Sequence, residues 1–417
     1  MSKIRFGGRR TRRDGRGTEL ALTGPVGSLP SHRAPEPALS PFTSTHSVSN
    51  GGSPPFVKRK AHVRALIPDD LDRVVELHRE GFGKRQAREE LRTFLRNIFF
   101  GHPWLDDALP SLGYVDGDGE LIGCMGVMPR PMLLDGRPIR AAVTHNFLVT
   151  PEQRQGLAAI QLMRTLSAAG PDLTLADGNE PARRLSDALG GTTLGPRSKR
   201  WIRVLAPTGL AFHMMHGGKV PPALNRALAG LAAPTDALAR FLPGSPVSTR
   251  VVEGIDDTPD VPALLDLIER HTRHLSLRPA YTEESLTWLL DTLRATRQTQ
   301  ELRVGTVTSA GEAVGWYVYY SRPGEVGRVL QLGAAPGAQS LVLDHLFADA
   351  VRRRNVGLSG QTDPAWTLGF DDASCLIRPG RTWLLMDTSQ RPIERALATS
   401  NAFLTRLEGE AWLHYGY

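Results

Sequence analysis

The sequence predicts an α/β protein of the α+β type, with two successive mixed-sheet folds behind a disordered N-terminal tail. With 417 residues, the chain is longer than one ordinary hydrophobic core supports. Residues 62–205 alternate strand and helix patterns, and a similar order of patterns returns over 251–390. Residues 1–60 combine Gly, Pro, Ser and basic residues without apolar periodicity, which is typical of disorder.

The net charge of +7 belongs to the tail rather than to the body of the protein. Residues 1–60 hold 11 Lys and Arg against three acids, so the tail carries +8 and the remaining chain −1. A near-neutral body lacks the basic patch that nucleic acids and acidic polymers require. We therefore expect no nucleic-acid binding by the folded body. For the tail, a solvated or mis-started N-terminus is favoured over an anion-binding or transit segment.

The cysteine content and the length of the apolar runs indicate the cellular compartment. The two cysteines, Cys124 and Cys375, are too few for a disulfide framework or a zinc site. No apolar run reaches membrane-spanning length, and no spacing of His, Cys and carboxylates predicts a metal. We expect a cytoplasmic protein without a membrane span and without a metal.

The elements of the first fold are predicted in order from residue 62 onward. A short strand precedes two helices whose apolar residues follow helical spacing. A hairpin around the turn at 116–119 comes next, and a second turn at Asp135-Gly136 returns the chain into a long apolar strand. The predicted ranges are 63–66, 68–80, 85–99, 113–115, 121–128 and 139–149.

Residues 139–169 are the segment around which the first fold is organised. The apolar strand stops before Pro151, because proline cannot donate to a β-ladder, and from Leu157 onward apolar residues follow helical spacing. Gly156, just before this helix, lets a ligand approach the backbone closely. The first amides of a helix have no internal partners. The turn is therefore a predicted seat for an anion such as a phosphate.

The turn resembles the pyrophosphate loop of the GNAT superfamily of acyl-CoA N-acyltransferases, Arg/Gln-x-x-Gly-x-Gly/Ala. Gln153, Gly156 and Ala158 fill the three fixed positions, and Arg154 is an alternative for the first, because this turn is one residue shorter than usual. The resemblance covers 62–205 and implies acetyl-CoA, or another acyl-CoA, as cosubstrate. It also implies that cofactor contacts come from the strand backbone, the loop amides and one asparagine: Phe147, Leu148, Val149, Gln153, Arg154, Gln155, Gly156, Leu157, Ala158, Ala159 and Asn179.

Three side chains are candidates for removing the proton of an acceptor amine. His145 has a usable unperturbed pKa, although a packed or surface histidine is the alternative. Asp177 and Glu180 follow a predicted strand at 172–176, where each is either a base or a cap of the next helix. The family's usual general acid is a tyrosine in that helix, and 181–189 contains none. This departure favours keeping a non-catalytic alternative.

The second half of the chain is predicted to contain a linker, a degenerate copy of the fold and a tail. Residues 206–250 alternate helical pieces with Pro and Gly, which indicates a helical linker. Residues 251–390 repeat the strand, loop, helix and strand order, but the loop at 335–339 lacks the pyrophosphate pattern. We expect this copy to be structural or substrate-shaping. Residues 391–417 are predicted as a C-terminal helix and tail.

The resemblance implies an N-acyltransferase, and an N-acetyltransferase in particular. The acceptor is expected to be the amine of a small molecule or an amino sugar, since the body lacks a basic patch. Two alternatives share the fold. One is a non-catalytic CoA-binding or scaffolding protein, and the other is an aminoacyl transferase of the peptidoglycan-bridge type. The oligomeric state is left open.

Overall fold

A computed structural model describes residues 60–83, 87–153, 157–216, 234–236, 247, 258–297 and 299–413. All of them lie in one unit, Val57–Tyr417. The predicted tail lies outside the described residues apart from Lys60, and most of the predicted linker also lies outside them.

The strands of the described residues form two mixed sheets. They are β1 (His62–Ala65), β2 (Leu112–Val115), β3 (Leu121–Leu134), β4 (Arg137–Val149), β5 (Leu173–Gly178), β6 (Thr192–Thr193), β7 (Lys199–Val204), β8 (Leu277–Pro279), β9 (Glu301–Ser309), β10 (Glu312–Ser321), β11 (Val326–Ala334), β12 (Gly357–Gln361), β13 (Leu376–Pro379) and β14 (Trp383–Asp387). The first sheet has the order β1-β2-β3-β4-β5-β14-β6, with β8 paired to β3, and the second has the order β13-β7-β12-β11-β10-β9. The predicted α/β class with two mixed sheets is confirmed.

The first two helices agree with the predicted ranges 68–80 and 85–99 to within three residues at each end. Leu71–Phe82, for example, buries one face through Leu71, Val74, Val75 and Leu77, as its apolar spacing requires. The described helices are Leu71–Phe82, Arg88–Phe100, Ala158–Ala168, Glu180–Ala188, Pro207–His216, Val261–Thr272, Glu283–Thr296, Gln339–Arg352, Thr367–Asp372 and Arg391–Ala398, with 3-10 turns at Pro68–Asp70, Pro151–Gln153 and Pro364–Trp366.

The hairpin of β3 and β4 is the longest pairing of the first sheet. It turns at Asp135 and Gly136, whose φ angles are 49° and 80°. Two successive positive φ angles are what a tight two-residue hairpin turn demands, and Asp-Gly supplies them. The pairing runs from Leu134 opposite Arg137 to Gly123 opposite Val149, with one irregularity described below.

Each half of the chain contributes to the other half's sheet: β7 joins the second sheet, and β8 and β14 join the first. β7 lies in the second sheet, where Trp201 pairs with Gly360, and β14 lies in the first sheet, where Leu385 pairs with Ala176. The sequence at 201–205 predicts a strand that closes the first fold, and this prediction is wrong because the strand lies in the second sheet. Residue alternation identifies a strand, but it fits the edge of either sheet, so that tertiary contacts choose the partner.

The chain segments that cross between the sheets touch each other. The amide of Gly380 donates to the carbonyl of Ser198 at 3.1 Å. A Cβ atom at residue 380 would lie 2.2 Å from that oxygen, so only glycine fits this approach.

The residues after the last helix belong to the core. We call residues 400–413 the C-terminal segment. Leu407, Trp412 and Leu413 are buried in one apolar cluster that also contains Val143 of the first sheet and Trp316 of the second. The C-terminal residues that the sequence predicted as a tail are therefore part of the core as far as Leu413, and they contact both sheets.

Candidate functional site

The parallel strands β4 and β5 separate halfway along their length. They pair from Ala141 opposite Leu173 to Val143 opposite Leu175, and not beyond. β4 continues to Val149 and β5 to Gly178, so two strand edges face each other without pairing. We call the space between residues 144–149 and 176–178 the first cleft. Unpaired N–H and C=O groups at such edges are ready partners for an extended ligand.

A β-bulge lies in β4 inside the first cleft. Cys124 pairs with Leu148 and Gly126 with His145, so β4 carries one more residue than β3 over this stretch. Asn146 supplies it with a φ of 47°, a left-handed conformation that few side chains tolerate. Strained residues of this kind cluster at functional sites. The bulge changes the direction of the β4 edge beside the cleft.

The helix Ala158–Ala168 begins where β4 leads out of the first cleft. Its first turn holds no acidic residue, and Leu157 before it is 63% exposed. The first amides of a helix have no intrahelical acceptor, and no acidic side chain in this first turn competes with an anion for them. Gln153 ends the 3-10 turn Pro151–Gln153. The positions of Arg154, Gln155 and Gly156 lie outside the described residues.

The strand residues predicted to contact the cofactor all lie beyond the point of separation. Leu148 is buried in the large apolar cluster, while Phe147 and Val149 pack on the opposite face against the cluster that contains Ala158 and Leu162. Their side chains anchor β4 to both layers, which leaves the backbone of this edge for pairing. This arrangement is the one that the resemblance implies for a pantetheine chain.

His145 is held rigidly in the first sheet. It is fully buried, its ring packs edge-on against Phe99 with centroids 4.8 Å apart, and its Nδ1 lies 3.0 Å from the Asn146 side-chain nitrogen. The ring also covers Gly126, where a Cβ atom would lie 2.2 Å from it. His145 is thus next to the bulge and enclosed by the core.

The C-terminal segment contacts both strands of the first cleft. Glu410, which is 5% exposed, accepts a hydrogen bond from the backbone amide of Asp177 at 2.5 Å. The carbonyl of Leu413 accepts one from Asn146 Nδ2 at 3.2 Å. The sequence did not identify Glu410. Its one signal is a pair of acids, Glu408 and Glu410, in an otherwise apolar run.

Asn179 and Glu180 stabilise the helix that follows β5. Asn179 is its N-cap and accepts from the amide of Ala182 at 3.1 Å. Glu180 forms ion pairs with Arg183 at 2.7 Å and Arg184 at 3.1 Å. These two hydrogen-bonded arginines lower the pKa of Glu180 to about 2. A carboxylate this weakly basic is a poor proton acceptor. The cap of this helix is Asn179, which was predicted as a cofactor contact, rather than Asp177 or Glu180.

A buried polar network connects the two sheets next to the C-terminal segment. Glu408 accepts from Tyr281 Oη at 2.6 Å and from Gln331 Nε2 at 2.8 Å. Arg130 donates to Tyr281 Oη at 3.1 Å and lies 4.3 Å over the ring of Trp104. Burial, and then the Glu408 carboxylate, raise the pKa of Tyr281 well above its usual value. Tyr281 is therefore a neutral hydrogen-bond donor in this network.

The second sheet repeats the separation of parallel strands. β11 and β12 pair only from Val326 opposite Gly357 to Arg328 opposite Ser359. We call the space between residues 329–334 and 360–361 the second cleft. It holds a cavity of about 260 Å³, whose walls include Trp201, Trp316, Gln331, Gln361, Thr405 and Arg406.

The described residues lack two further features. None of the helices among them is long and apolar enough to cross a membrane. Nor do they contain a group of three His, Cys, Asp or Glu side chains that could hold a metal ion.

In the first cleft, two parallel strands separate beside a bulge, and the helix Ala158–Ala168 follows β4. Residues 62–169 match the family model of the acetyltransferase (GNAT) domain. The match runs from β1 to the helix Ala158–Ala168, so it includes the β4 side of the first cleft. The chain therefore contains a GNAT domain, as the sequence predicted.

Solved structures of acyltransferases are similar to this chain over most of its length. A probable N-acyltransferase from Enterococcus faecalis V583 has 10% identity and a TM-score of 0.51, covering 79% of this chain and 73% of that one. A GCN5-related N-acetyltransferase from Kribbella flavida has 18% identity and a TM-score of 0.48, covering 79% and 71%. Saccharomyces cerevisiae N-myristoyltransferase with bound myristoyl-CoA has 13% identity and a TM-score of 0.46, covering 78% and 82%. The likeness to the Enterococcus protein shows a shared fold. No curated protein sequence matches this chain.

Proposed function

We propose that the protein is an acyl-CoA-dependent N-acyltransferase that works in the first cleft. The observation that carries this proposal is the separation of β4 and β5 after Val143, next to a helix that begins without an acidic residue. An extended amide-bearing chain pairs with an open strand edge, and its anionic end binds at a helix N-terminus. Acyl-CoA has both features, because its pantetheine chain carries amides and its nucleotide end carries a pyrophosphate.

The proposed cofactor contacts follow from this placement. The pantetheine pairs with the β4 backbone at Phe147, Leu148 and Val149. The pyrophosphate binds the amides of residues 153–159, which include Ala158 and Ala159 at the start of the helix. The thioester then lies near the bulge at Asn146, where the strand edge changes direction. Asn179 is occupied as an N-cap, so we propose no cofactor contact for its side chain.

The reaction needs orientation, a polarised carbonyl and one proton acceptor. The acceptor ammonium first loses a proton, and the neutral nitrogen attacks the thioester carbon. The carbon–nitrogen bond forms and the carbon–sulfur bond breaks. The proton that the attacking nitrogen then loses passes to the leaving thiolate and gives the CoA thiol. Most of the rate enhancement comes from holding the two reactants in line.

Three groups beside the first cleft are candidates for the proton transfer. His145 and Asp177 remain candidates from the sequence, and we add Glu410, since its carboxylate contacts the end of β5. We do not propose Glu180, because its ion pairs make it a weak base. As acyl group we propose acetyl, and as acceptor a small amine.

We infer that the second sheet is a degenerate copy of the same fold. The second cleft has the same origin in two separating parallel strands, and the helix Gln339–Arg352 follows β11 as Ala158–Ala168 follows β4. Its loop lacks the pyrophosphate pattern. A substrate-shaping role fits an open cavity without that pattern.

A thiol-release assay tests the proposed function. Full-length protein is mixed with acetyl-CoA and a panel of small amines and amino sugars, and CoA thiol is titrated with a chromogenic disulfide. We expect amine-dependent release above the rate of hydrolysis for at least one acceptor, with the acylated product seen by mass spectrometry. If no amine raises the rate for acetyl-CoA or longer acyl-CoAs, the enzyme proposal fails.

A second candidate function is that of a non-catalytic CoA-binding protein. The observation that favours it is the helix Glu180–Ala188, whose sequence contains no tyrosine to serve as general acid. Tight acetyl-CoA binding in calorimetry without turnover of any amine would support this candidate over the enzyme.

A further inference from the structure

Arg328 and Arg406 have three further arginines within electrostatic range, near the start of the second cleft. We call Arg200, Arg297, Arg328, Arg381 and Arg406 the arginine cluster. Arg328 is in the last paired position before the second cleft opens and lies opposite Tyr320 in β10. Arg297 lies 5.3 Å over the ring of that same tyrosine.

The other three members surround the same region from different segments. Arg406 belongs to the C-terminal segment and lines the cavity of the second cleft. Arg200 pairs in β7 with Gln361, another residue of the cavity wall. Arg381 lies in the crossing between β13 and β14. Burial and repulsion from Arg297, Arg406 and Arg381 lower the pKa of Arg328 to about 9.

The cluster is not neutralised by the described part of the chain. Arg200, Arg328, Arg381 and Arg406 form neither an ion pair nor a side-chain hydrogen bond with a described residue, and the Nε atom of Arg200 is buried without a partner. Two acids lie close. Against the effect of burial, the Asp177 carboxylate raises the pKa of Arg406, and Glu325 raises the pKa of Arg297 but already pairs with Arg322 at 3.0 Å.

Two other buried arginines, Arg197 and Arg130, do have hydrogen-bond partners within the protein. Arg197 is almost completely enclosed and binds the carboxylate of Asp363 as well as the carbonyl oxygens of Leu397, Leu404 and Ala402. Arg130 is likewise held by Tyr281 and a carbonyl. Arg200, Arg328 and Arg406 are half-buried like charges without such partners, which is destabilising. An anion bound there would supply the missing hydrogen-bond acceptors and opposite charge.

The C-terminal segment connects the arginine cluster to the first cleft. It presents Arg406 to the cluster and Glu410 to the amide of Asp177, and the Asp177 carboxylate is near enough to raise the pKa of Arg406 against the effect of burial. An anionic group at the arginines therefore sits beside the acidic end of the first cleft. A molecule with an amine at one end and an anion at the other matches this polarity.

We propose that the arginine cluster binds the anionic group of the acceptor, which is thus an amine that also carries a carboxylate or a phosphate. This inference rests on the proposed N-acyltransferase function. The arginine cluster would then recognise the acceptor. Its guanidinium groups form charge-assisted hydrogen bonds that suit both carboxylate and phosphate.

Matched pairs of amines test the inference in the thiol-release assay. Glycine is compared with glycinamide for the carboxylate, and O-phosphoethanolamine with ethanolamine for the phosphate. We expect the anionic member of at least one pair to have a kcat/KM at least tenfold higher. The pair that shows the preference identifies the anion. Equal or higher kcat/KM for the neutral members of both pairs overturns the inference.

Variants locate the effect at the cluster. Arg328→Gln and Arg406→Gln should each raise the KM for the anionic amine at least tenfold, while the KM values for the neutral amine and for acetyl-CoA stay within twofold. Arg328→Lys keeps the charge and should recover part of the loss. Arg137→Gln removes an exposed arginine at the start of β4 and should change nothing. An unchanged KM in both glutamine variants contradicts the proposal.

A binding measurement separates this inference from the proposed function. If no amine is acylated, calorimetry with inorganic phosphate and with acetate still reports on the cluster. Binding to the wild-type protein that is lost in Arg328→Gln supports the anion site even though the enzyme proposal has failed. Absence of binding in the wild type overturns the anion site. Turnover of neutral amines alone overturns it too, and leaves the enzyme proposal standing.

Discussion

The Glu410 carboxylate accepts a hydrogen bond from the backbone amide of Asp177 across 233 positions of sequence, at 2.5 Å. This contact places an acid from the C-terminal segment at the end of β5, where β5 no longer pairs with β4. It makes the C-terminal segment a wall of the first cleft. The predictions below follow from this wall, from the bulge in β4 and from the helix beyond it.

Glu410→Gln keeps an oxygen that can accept from the Asp177 amide but removes the charge. We expect kcat to fall about 10- to 100-fold at neutral pH if this carboxylate takes part in proton transfer. The KM for acetyl-CoA and the thermal midpoint should stay unchanged. Steady-state kinetics against pH checks this, with the exposed Glu394→Gln as the matched control. Wild-type kcat in Glu410→Gln assigns the proton transfer to His145 or Asp177.

Leu157→Glu places a negative charge before the first turn of Ala158–Ala168. A carboxylate there interacts favourably with the helix dipole, by about 0.3–1 kcal/mol, so the protein should be no less stable. The same charge repels a pyrophosphate, so the Kd for CoA should rise about tenfold and depend on salt. Calorimetry at two ionic strengths measures this, with Leu157→Gln as the uncharged control. Equal affinities of the Glu and Gln variants would place the pyrophosphate elsewhere.

Asn146 holds its left-handed conformation in the bulge by side-chain hydrogen bonds. Asn146→Ala loses these bonds and also introduces strain at positive φ, whereas Asn146→Gly loses the bonds alone. We expect the alanine variant to be less stable than the glycine variant by about 1 kcal/mol. Denaturant unfolding of both variants decides. An alanine variant as stable as the glycine variant would mean that the bulge relaxes.

His102 makes the stability of the fold depend on pH. Burial, and then repulsion by Arg130, lower its pKa from 6.5 to about 4 in the folded state. The unfolded chain therefore binds the proton more tightly than the folded protein. The contribution of His102 to the free energy of unfolding is highest above pH 6.5 and decreases as the pH falls towards 4. The loss amounts to about 3 kcal/mol at most. In unfolding experiments from pH 7 to 4, His102→Phe should lose less stability than the wild type. Parallel curves for the two proteins would assign the acid sensitivity to other groups.

The sequence predicted the local features of the first cleft because they are encoded within a few residues. The strand of β4, the Asp135-Gly136 turn and the helix after Gly156 each follow from spacing and turn chemistry. A cap of the helix after β5 was also predictable, although the capping residue is Asn179 and not Asp177 or Glu180. The assignment of these three residues to the site came from the resemblance and not from the local pattern.

The features that the sequence did not predict depend on contacts between distant parts of the chain. β7 has the alternation of a strand, but its partners β12 and β13 both lie more than 150 residues away. The burial of Glu408 and Glu410 and the gathering of Arg328 with Arg406 arise only after the C-terminal segment packs between the sheets. No periodicity in a single sequence carries such pairings, since each segment is compatible with several neighbours.

The central claim is that acyl-CoA binds in the first cleft, and the affinity for acetyl-CoA of two matched tryptophan variants tests it most directly. Gly156→Trp places an indole at the loop before Ala158–Ala168, and Ser340→Trp places one at the start of the corresponding helix Gln339–Arg352. Calorimetry should show a Kd raised at least tenfold in Gly156→Trp and unchanged in Ser340→Trp. Wild-type affinity in Gly156→Trp, or a loss confined to Ser340→Trp, would contradict the account.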